Sequence, residues 1–146
     1  MIAVDTNVLV YAHREDSPHH ASALSALHSL ATGPDRWAIP WPCLHELLAV
    51  VTHPRIYDPP TAPDVALGLL SELLSLPNLT PLSETRDHAM LLGELIAPGV
   101  VGPKVHDARV AAICLGHGVS ELWSADRDFS WFPRLRVRNP LVDRSG

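Results

Sequence analysis

Residues 1–7 of the chain read MIAVDTN, a short apolar run that ends at an acidic residue. The apolar residues 2–4 predict a buried first strand. A strand of an α/β sheet delivers the residue after it to the edge where such sheets bind ligands, which places Asp5 there. Thr6 and Asn7 add a hydroxyl and an amide beside its carboxylate. Asp5 alone is equally consistent with an ordinary cap of the next helix.

Further carboxylates occur in helical segments or directly after a strand. Glu46 interrupts the apolar segment PCLHELLAVV, and Asp107 opens the segment DARVAAICLG. A glutamate is rarely buried without a partner, although Glu46 could lie at the solvent boundary of its helix. Asp107 could instead complement a helix dipole. Asp126 and Asp128 follow the segment ELWSA, and one of them could be a cap or turn residue.

The joint pattern is more informative than any single carboxylate. Four carboxylates are expected at equivalent ends of separate elements: Asp5, Glu46, Asp107 and Asp126. If they converge, they repel one another in a low-dielectric cleft unless a cation neutralises them. Carboxylate oxygens favour Mg²⁺ or Mn²⁺, and these ions commonly serve the cleavage of phosphodiester bonds.

The rest of the chain alternates short apolar runs with helical patterns. We predict strands at residues 2–4, 37–39, 79–82, 122–124 and, more weakly, 135–137. We predict helices at residues 8–13, 19–30 after a Ser17 cap, 42–52, 61–76 capped by Thr61, 105–115, and from a cap at Ser83 or Thr85 to Ala97. Such alternation implies right-handed crossovers. The fold class is therefore α/β, with a central, mostly parallel, twisted sheet of four to five strands and helices on both faces.

Length and composition set limits on the kind of protein. The 146 residues, 47 % of them apolar, fit one domain, residues 1–146, with a substantial core. Cys43 and Cys114 stand alone in apolar helical contexts, which favours buried thiols over a disulfide. No signal peptide or membrane-length apolar run is present, so we expect a soluble cytoplasmic protein.

The charge distribution gives no broad basic face. The formal net charge is −5, and Lys104 is the only lysine beside ten arginines. Four of these arginines follow one another near the C-terminus: Arg134, Arg136, Arg138 and Arg144. They indicate either a charged edge strand or a surface that contacts RNA or an acidic partner.

Taken in order along nearly the whole chain, these segments resemble the PIN-domain family. They are DTNVL at 5–9, the helix around Glu46, DARVAA at 107–112 and SADRDF at 124–129, and THPRIY at 52–57 adds a similar connection. The match is closest to the VapC-type ribonuclease toxins of toxin–antitoxin pairs. The resemblance implies a PIN-like fold with an acidic cluster that binds Mg²⁺ or Mn²⁺.

The resemblance also implies roles for individual residues. It assigns Asp5, Glu46, Asp107 and Asp126 to catalysis. The metal ligands would be Asp5, Asp107 and Asp126, with Glu46 and Asp128 as further candidates. Thr6, Asn7 and Ser124 would orient the carboxylates. The expected activity is endoribonucleolytic, with a metal-activated water leaving 5′-phosphate and 3′-hydroxyl ends. A cognate antitoxin, RNA as substrate and a homodimer are implied as well.

Other functions compete with this one. An aspartyl-phosphate phosphatase or receiver domain would use Asp5 and Lys104, but it leaves Glu46 without a role. A non-catalytic PIN-like binding module would keep the acidic cluster as a structural feature. A zinc site is disfavoured, because the nine histidines and two cysteines show no ligand spacing.

The tryptophans divide by their predicted positions. Trp37 and Trp123 lie in predicted strands and should fill the core. Trp41 and Trp131 lie beside prolines in predicted loops, and they are candidates for contact with unpaired RNA bases or a partner.

Overall fold

The computed structural model describes residues 1–142, so Arg144 of the arginine-rich segment lies outside the described residues. Five parallel strands form one sheet in the order β3-β2-β1-β4-β5. The strands are β1 (Ile2–Val4), β2 (Trp37–Pro40), β3 (Leu79–Leu82), β4 (Glu121–Trp123) and β5 (Val137–Arg138). The predicted parallel α/β sheet is confirmed.

The strand order fixes where the sheet can bind a ligand. The chain runs outward from β1 through β2 to β3 and then returns to the other side of β1 to form β4 and β5. The strand order therefore reverses between β1 and β4, which are paired in register from Ile2 opposite Glu121 to Val4 opposite Trp123. Crevices in open α/β sheets form at the carboxyl ends of such a pair. Asp5 and Ser124 directly follow these two strand ends.

Within residues 1–142, six helices and one 3₁₀ helix connect or follow the strands. They are α1 (Thr6–His13), α2 (His20–Thr32), α3 (Trp41–Val51), α4 (Pro63–Leu74), α5 (His88–Leu95), α6 (Lys104–Gly116) and the 3₁₀ helix (Arg127–Trp131). Each predicted helix is present within a few residues of its predicted bounds, because apolar periodicity locates a helix better than its ends.

The predicted helix caps are wrong. The cap position of α2 is His19 rather than Ser17, and that of α4 is Ala62 rather than Thr61. The Thr61 hydroxyl lies 3.0 Å from Nε2 of His13 instead. Pro63, the first residue of α4, has no N–H, so one of the amides that stay unpaired at a helix start is absent.

Helix α5 is also shorter than predicted. It begins after Asp87, whose side chain makes no capping hydrogen bond, and neither Ser83 nor Thr85 caps it. The methyl and hydroxyl of Thr85 instead lie close to Gly116, where a β-carbon would approach the Thr85 hydroxyl to 2.7 Å. Thr85 therefore packs against α6 instead of capping α5, the role that its local sequence preference predicts.

The core lies on both faces of the central strands. Residues of β1 and β2 are buried together with the inner faces of α3 and α6. Both cysteines are buried and free, as predicted. Trp37 and Trp123 are buried, which confirms the prediction for the strand tryptophans. Within residues 1–142, no helix is long and apolar enough to span a bilayer.

Strand β5 forms one edge of the sheet, and arginines flank it. Arg136 pairs with Glu121 at 3.2 Å, and the guanidinium of Arg138 lies 5.3 Å from the centroid of the Trp123 ring. Arg134 pairs with Glu94 at 2.6 Å. These intramolecular contacts agree with the prediction of a charged edge strand.

Candidate functional site

Asp5 is a buried carboxylate at the end of β1, with a side chain held by three donors. Ser124 Oγ donates to Oδ2 at 2.7 Å, Asn7 Nδ2 donates to the same oxygen at 3.3 Å, and Cys43 Sγ donates to Oδ1 at 3.4 Å. Burial raises the pKa of Asp5, and the hydrogen bond from Ser124 is the largest effect that opposes this rise. The side chain therefore has little freedom to rotate.

Ser124 and Asn7 form a bridge between the two central strand ends. Ser124 Oγ accepts from Asn7 Nδ2 at 3.3 Å and from the backbone amide of Asp126 at 3.0 Å. Asn7 Oδ1 accepts from the amide of Ala125 at 3.1 Å. The two side chains thus connect the carboxylate of Asp5 to the backbone that carries Asp126.

Three other carboxylates form a compact cluster at the same edge of the sheet. Asp107, in the first turn of α6, and Asp126 and Asp128, at the start of the 3₁₀ helix, have carboxylate oxygens within 4.8 Å of one another. Asp126 Oδ1 also accepts from the amide of Asp128 at 2.9 Å. Asp126 therefore caps the 3₁₀ helix and also belongs to the carboxylate cluster.

Burial and nearby like charges both perturb the pKa of Asp107. Its pKa is raised from 3.8 to about 6, first by burial and then by the charges of Asp126, Asp5, Asp128 and Glu46. Each of the other four carboxylates thus acts on Asp107 at once, and the protein without a bound cation carries a substantial repulsion at this edge.

Glu46 is exposed, which contradicts its interpretation as a buried glutamate. It lies at the solvent boundary of α3, the alternative that the sequence left open. Thr6 Oγ1 donates to Glu46 Oε2 at 3.0 Å, so the side chain is directed toward the end of β1. Helix α3 needs only one apolar face to pack, and that face carries Leu44, Leu47 and Val51.

The five carboxylates line one cleft of about 940 Å³. The structure brings Asp107, Asp126 and Asp128 within reach of a single ion, whereas Asp5 and Glu46 line the cleft outside that group of three. The cleft is also lined by two tyrosines, two histidines and an arginine that sequence reasoning did not connect to the site: Tyr11, Tyr57, His45, His106 and Arg109.

Cys43 is a second contributor that sequence reasoning missed. Only a packing role was predicted for it, yet its thiol donates to Asp5. Burial raises the pKa of this thiol well above its ordinary value, so it remains protonated and able to donate. Its position three residues before Glu46 was the available signal, since residues three apart share a helix face.

The donor chemistry of the cluster fits a hard divalent cation. Within residues 1–142, the three aspartates are the one group of at least three acidic, histidine or cysteine side chains compact enough to hold an ion. Mg²⁺ and Mn²⁺ prefer such carboxylate oxygens, whereas Zn²⁺ prefers nitrogen and sulfur ligands. The zinc alternative therefore has no matching cluster in the described part of the chain.

The chain is similar to known proteins along nearly its whole length. The family model of the PIN domain matches residues 2–135. Ribonuclease VapC43 of Mycobacterium tuberculosis is 37 % identical over 142 residues, which cover 97 % of this chain and 96 % of that protein. Ribonuclease VapC48 of the same organism is 33 % identical over 140 residues, which cover 94 % and 95 %.

The fold is also similar to that of one chain in a solved structure. VapBC2 from Rickettsia felis, crystallised with a DNA fragment from its promoter, gives a TM-score of 0.67 at 22 % identity. The match covers 95 % of this chain and 98 % of the solved chain. The chain belongs to the PIN-domain family. Within that family it groups with the VapC ribonucleases, and this membership removes the basis for the receiver-domain alternative.

Proposed function

We propose that the chain is a metal-dependent endoribonuclease and the toxin of a toxin–antitoxin pair. The observation that supports this most strongly is the cluster of Asp107, Asp126 and Asp128 beside the buried Asp5, at the point where the strand order reverses. The relatives named as VapC ribonucleases supply RNA as the substrate class.

Asp107, Asp126 and Asp128 would hold the cation, with Asp5 and Glu46 as further acidic groups of the same cleft. A bound Mg²⁺ or Mn²⁺ would neutralise the phosphate and lower the pKa of the attacking water. Attack by water rather than by the ribose 2′-hydroxyl leaves 5′-phosphate and 3′-hydroxyl ends.

The chain's own residues divide the remaining work. Asp5 supplies a carboxylate whose orientation is held by hydrogen bonds from Ser124, Asn7 and Cys43. Glu46 is the exposed carboxylate of α3, and the bond from Thr6 directs it into the cleft, where it is placed to accept a proton from water. Asn7 and Ser124 keep Asp126 in register with Asp5.

The same cleft suggests how an antitoxin would inhibit the enzyme. Among the described residues, the cleft is lined by five carboxylates and one arginine, Arg109, whose guanidinium is already paired with Glu84. An arginine offered by a cognate antitoxin would find unpaired carboxylates there. A homodimer, a cytoplasmic location and a single domain over residues 1–146 complete the proposal, as expected for a VapC-type toxin.

The test is end-mapping of RNA incubated with the purified protein in Mg²⁺, in Mn²⁺ and in EDTA. Cleavage should leave 5′-phosphate and 3′-hydroxyl ends, and it should be lost in EDTA and in Asp107→Asn. Asp35→Asn is the matched control, because Asp35 is exposed in a loop and does not line the cleft.

Two outcomes would contradict the proposal. Ends that carry 2′,3′-cyclic phosphate would show that the ribose hydroxyl attacks, and the proposed chemistry would be wrong. Binding of Mn²⁺ and RNA without any cleavage would identify the chain as a non-catalytic PIN-like binding module.

A further inference from the structure

A cation–π contact joins the two elements that carry the clustered carboxylates. The ammonium of Lys104 lies 3.7 Å from the centroid of the Trp131 ring. Lys104 is the first residue of α6, which carries Asp107, and Trp131 is the last residue of the 3₁₀ helix, which carries Asp128.

The spacing along both elements is the same. Lys104 precedes Asp107 by three residues, so the two side chains share one face of α6. Asp128 precedes Trp131 by three residues, and side chains three apart eclipse one another in a 3₁₀ helix. The Lys104–Trp131 contact therefore lies one turn away from a clustered carboxylate on each element.

Lys104, the only lysine of the chain, contacts an aromatic ring rather than a carboxylate. The four ion pairs within residues 1–142 all use arginine, and Lys104 takes part in none of them. Although an acidic cluster lies one turn away, its ammonium lies over an indole ring. The contact thus connects two elements without neutralising a carboxylate.

Gly99 supports the same indole from the loop that precedes α6. Its φ is +95°, a region that favours glycine. A β-carbon at this position would lie 3.0 Å from Cη2 and Cζ3 of Trp131. The loop backbone therefore packs directly on the ring that Lys104 covers, and the indole is held from two sides.

We propose that Lys104 and Trp131 form a clasp that positions Asp128 as the third carboxylate of the metal site. Asp128 is exposed and is repelled by Asp107 and Asp126, so it would move away from them unless the 3₁₀ helix were held. Both clasp residues act through the position of Asp128 and are not themselves ligands. The clasp rests on the proposed function, since it concerns the same cation.

Mn²⁺ binding to the purified protein, measured by calorimetry and by electron paramagnetic resonance, tests the clasp. Lys104→Met and Trp131→Leu should each weaken binding about two- to fivefold, the change that one exposed cation–π contact gives. The double variant should bind no more weakly than either single variant, because either change already opens the clasp. Lys104→Arg and Trp131→Phe should recover much of the affinity.

The sign of the effect separates positioning from simple electrostatics. Removing a positive charge near an acidic site should strengthen cation binding, yet the clasp predicts weaker binding for Lys104→Met. Arg134→Met is the matched control: it removes one positive charge from an exposed ion pair near the 3₁₀ helix. This control should bind Mn²⁺ at least as tightly as the unaltered chain.

Coupling to Asp128 gives a readout that a merely structural role would not change. Asp128→Asn should weaken Mn²⁺ binding in the unaltered chain and should have little further effect in Trp131→Leu. Thermal unfolding in EDTA should show that Trp131→Leu and Lys104→Met remain folded. Affinities equal to that of Arg134→Met in both variants would overturn the clasp alone. Absence of Mn²⁺ binding to the unaltered chain would overturn the clasp and the proposed function together.

Discussion

Replacing Asp107 by asparagine should stabilise the metal-free protein while it abolishes cleavage. The reason is that burial first, and then the charges of four other carboxylates of the cleft, raise the pKa of Asp107 from 3.8 to about 6. Asparagine keeps the shape of the side chain and removes the charge. Most polar substitutions in a well-packed site destabilise a protein, so the expected sign is distinctive.

The magnitude follows from the pKa of Asp107. A pKa difference of one pH unit corresponds to about 1.4 kcal/mol, so the rise from 3.8 to about 6 corresponds to on the order of 3 kcal/mol. Because the side chain is partly in contact with solvent, we halve this figure and expect a gain of about 1–2 kcal/mol.

The gain should depend on pH in a defined direction. The folded pKa of Asp107 lies above the unfolded value, so the folded protein binds more protons between about pH 4 and pH 6. The stability of the unaltered, metal-free protein therefore falls as the pH rises through this window. Asp107→Asn does not lose stability in this window. The difference in unfolding free energy between the variant and the unaltered chain should therefore be largest above about pH 7 and should decrease toward pH 4.

Urea unfolding in EDTA at pH 7.5 and pH 4.5 is the assay, with Asp35→Asn as the control for loss of one exposed carboxylate. Asp107→Asn should unfold at higher urea than the unaltered chain at pH 7.5, with a smaller difference at pH 4.5. A variant that is less stable at pH 7.5, or equally stable at both pH values, would show that no repulsive cluster surrounds Asp107.

Two further predictions concern side chains that support the site, and two concern the binding of Mn²⁺. Ser124→Ala removes the hydroxyl that donates to the buried Asp5 at 2.7 Å, and it should lower the free energy of unfolding by about 1.5–3 kcal/mol in a urea titration. Ser29 is exposed, so Ser29→Ala should change the free energy of unfolding little in the same titration. Thr6→Val keeps the side-chain shape but leaves Glu46 without its donor, so kcat for RNA cleavage should fall about tenfold. Mn²⁺ at one hundred times its Kd should raise the unfolding free energy by about 2.7 kcal/mol. Calorimetry should show this binding weakening below about pH 6, where protons compete for Asp107.

The helices and strands show how far local patterns extend. Strand β3 begins and ends where its apolar run predicts, and the sheet is parallel because strands alternate with helices. Helix starts were predicted less well. Thr61 and Thr85 are good capping residues in isolation, but their hydroxyls face His13 and Gly116 in the folded chain. Capping contributes about 1 kcal/mol, which tertiary contacts readily outweigh.

In the candidate site too, some residues are predicted from the local sequence, whereas the distances between them depend on the folded chain. Asp5 is placed by the strand before it, and the segment around Asp107 predicts a helix that packs closely on the sheet. Asp128 lies close to Asp107 and Asp126 because the 3₁₀ helix follows Asp126 and contacts α6 through Trp131 and Lys104, a contact that no local pattern encodes. Sequence analysis assigns Asp128 only a secondary role, since its distance from Asp107 is a property of the folded chain.

By itself, the sequence determined the family through the order of its acidic segments and the parallel α/β class through the alternation of strands and helices, and it named the residues proposed for the site. These features are periodic or local, so they can be read from neighbours along the chain. Only the tertiary structure decided which three carboxylates come within 4.8 Å, that Glu46 is exposed, and that the Cys43 thiol donates to Asp5. The physical reason is that these outcomes depend on contacts between residues far apart in sequence, and packing and charge repulsion between elements determine those contacts.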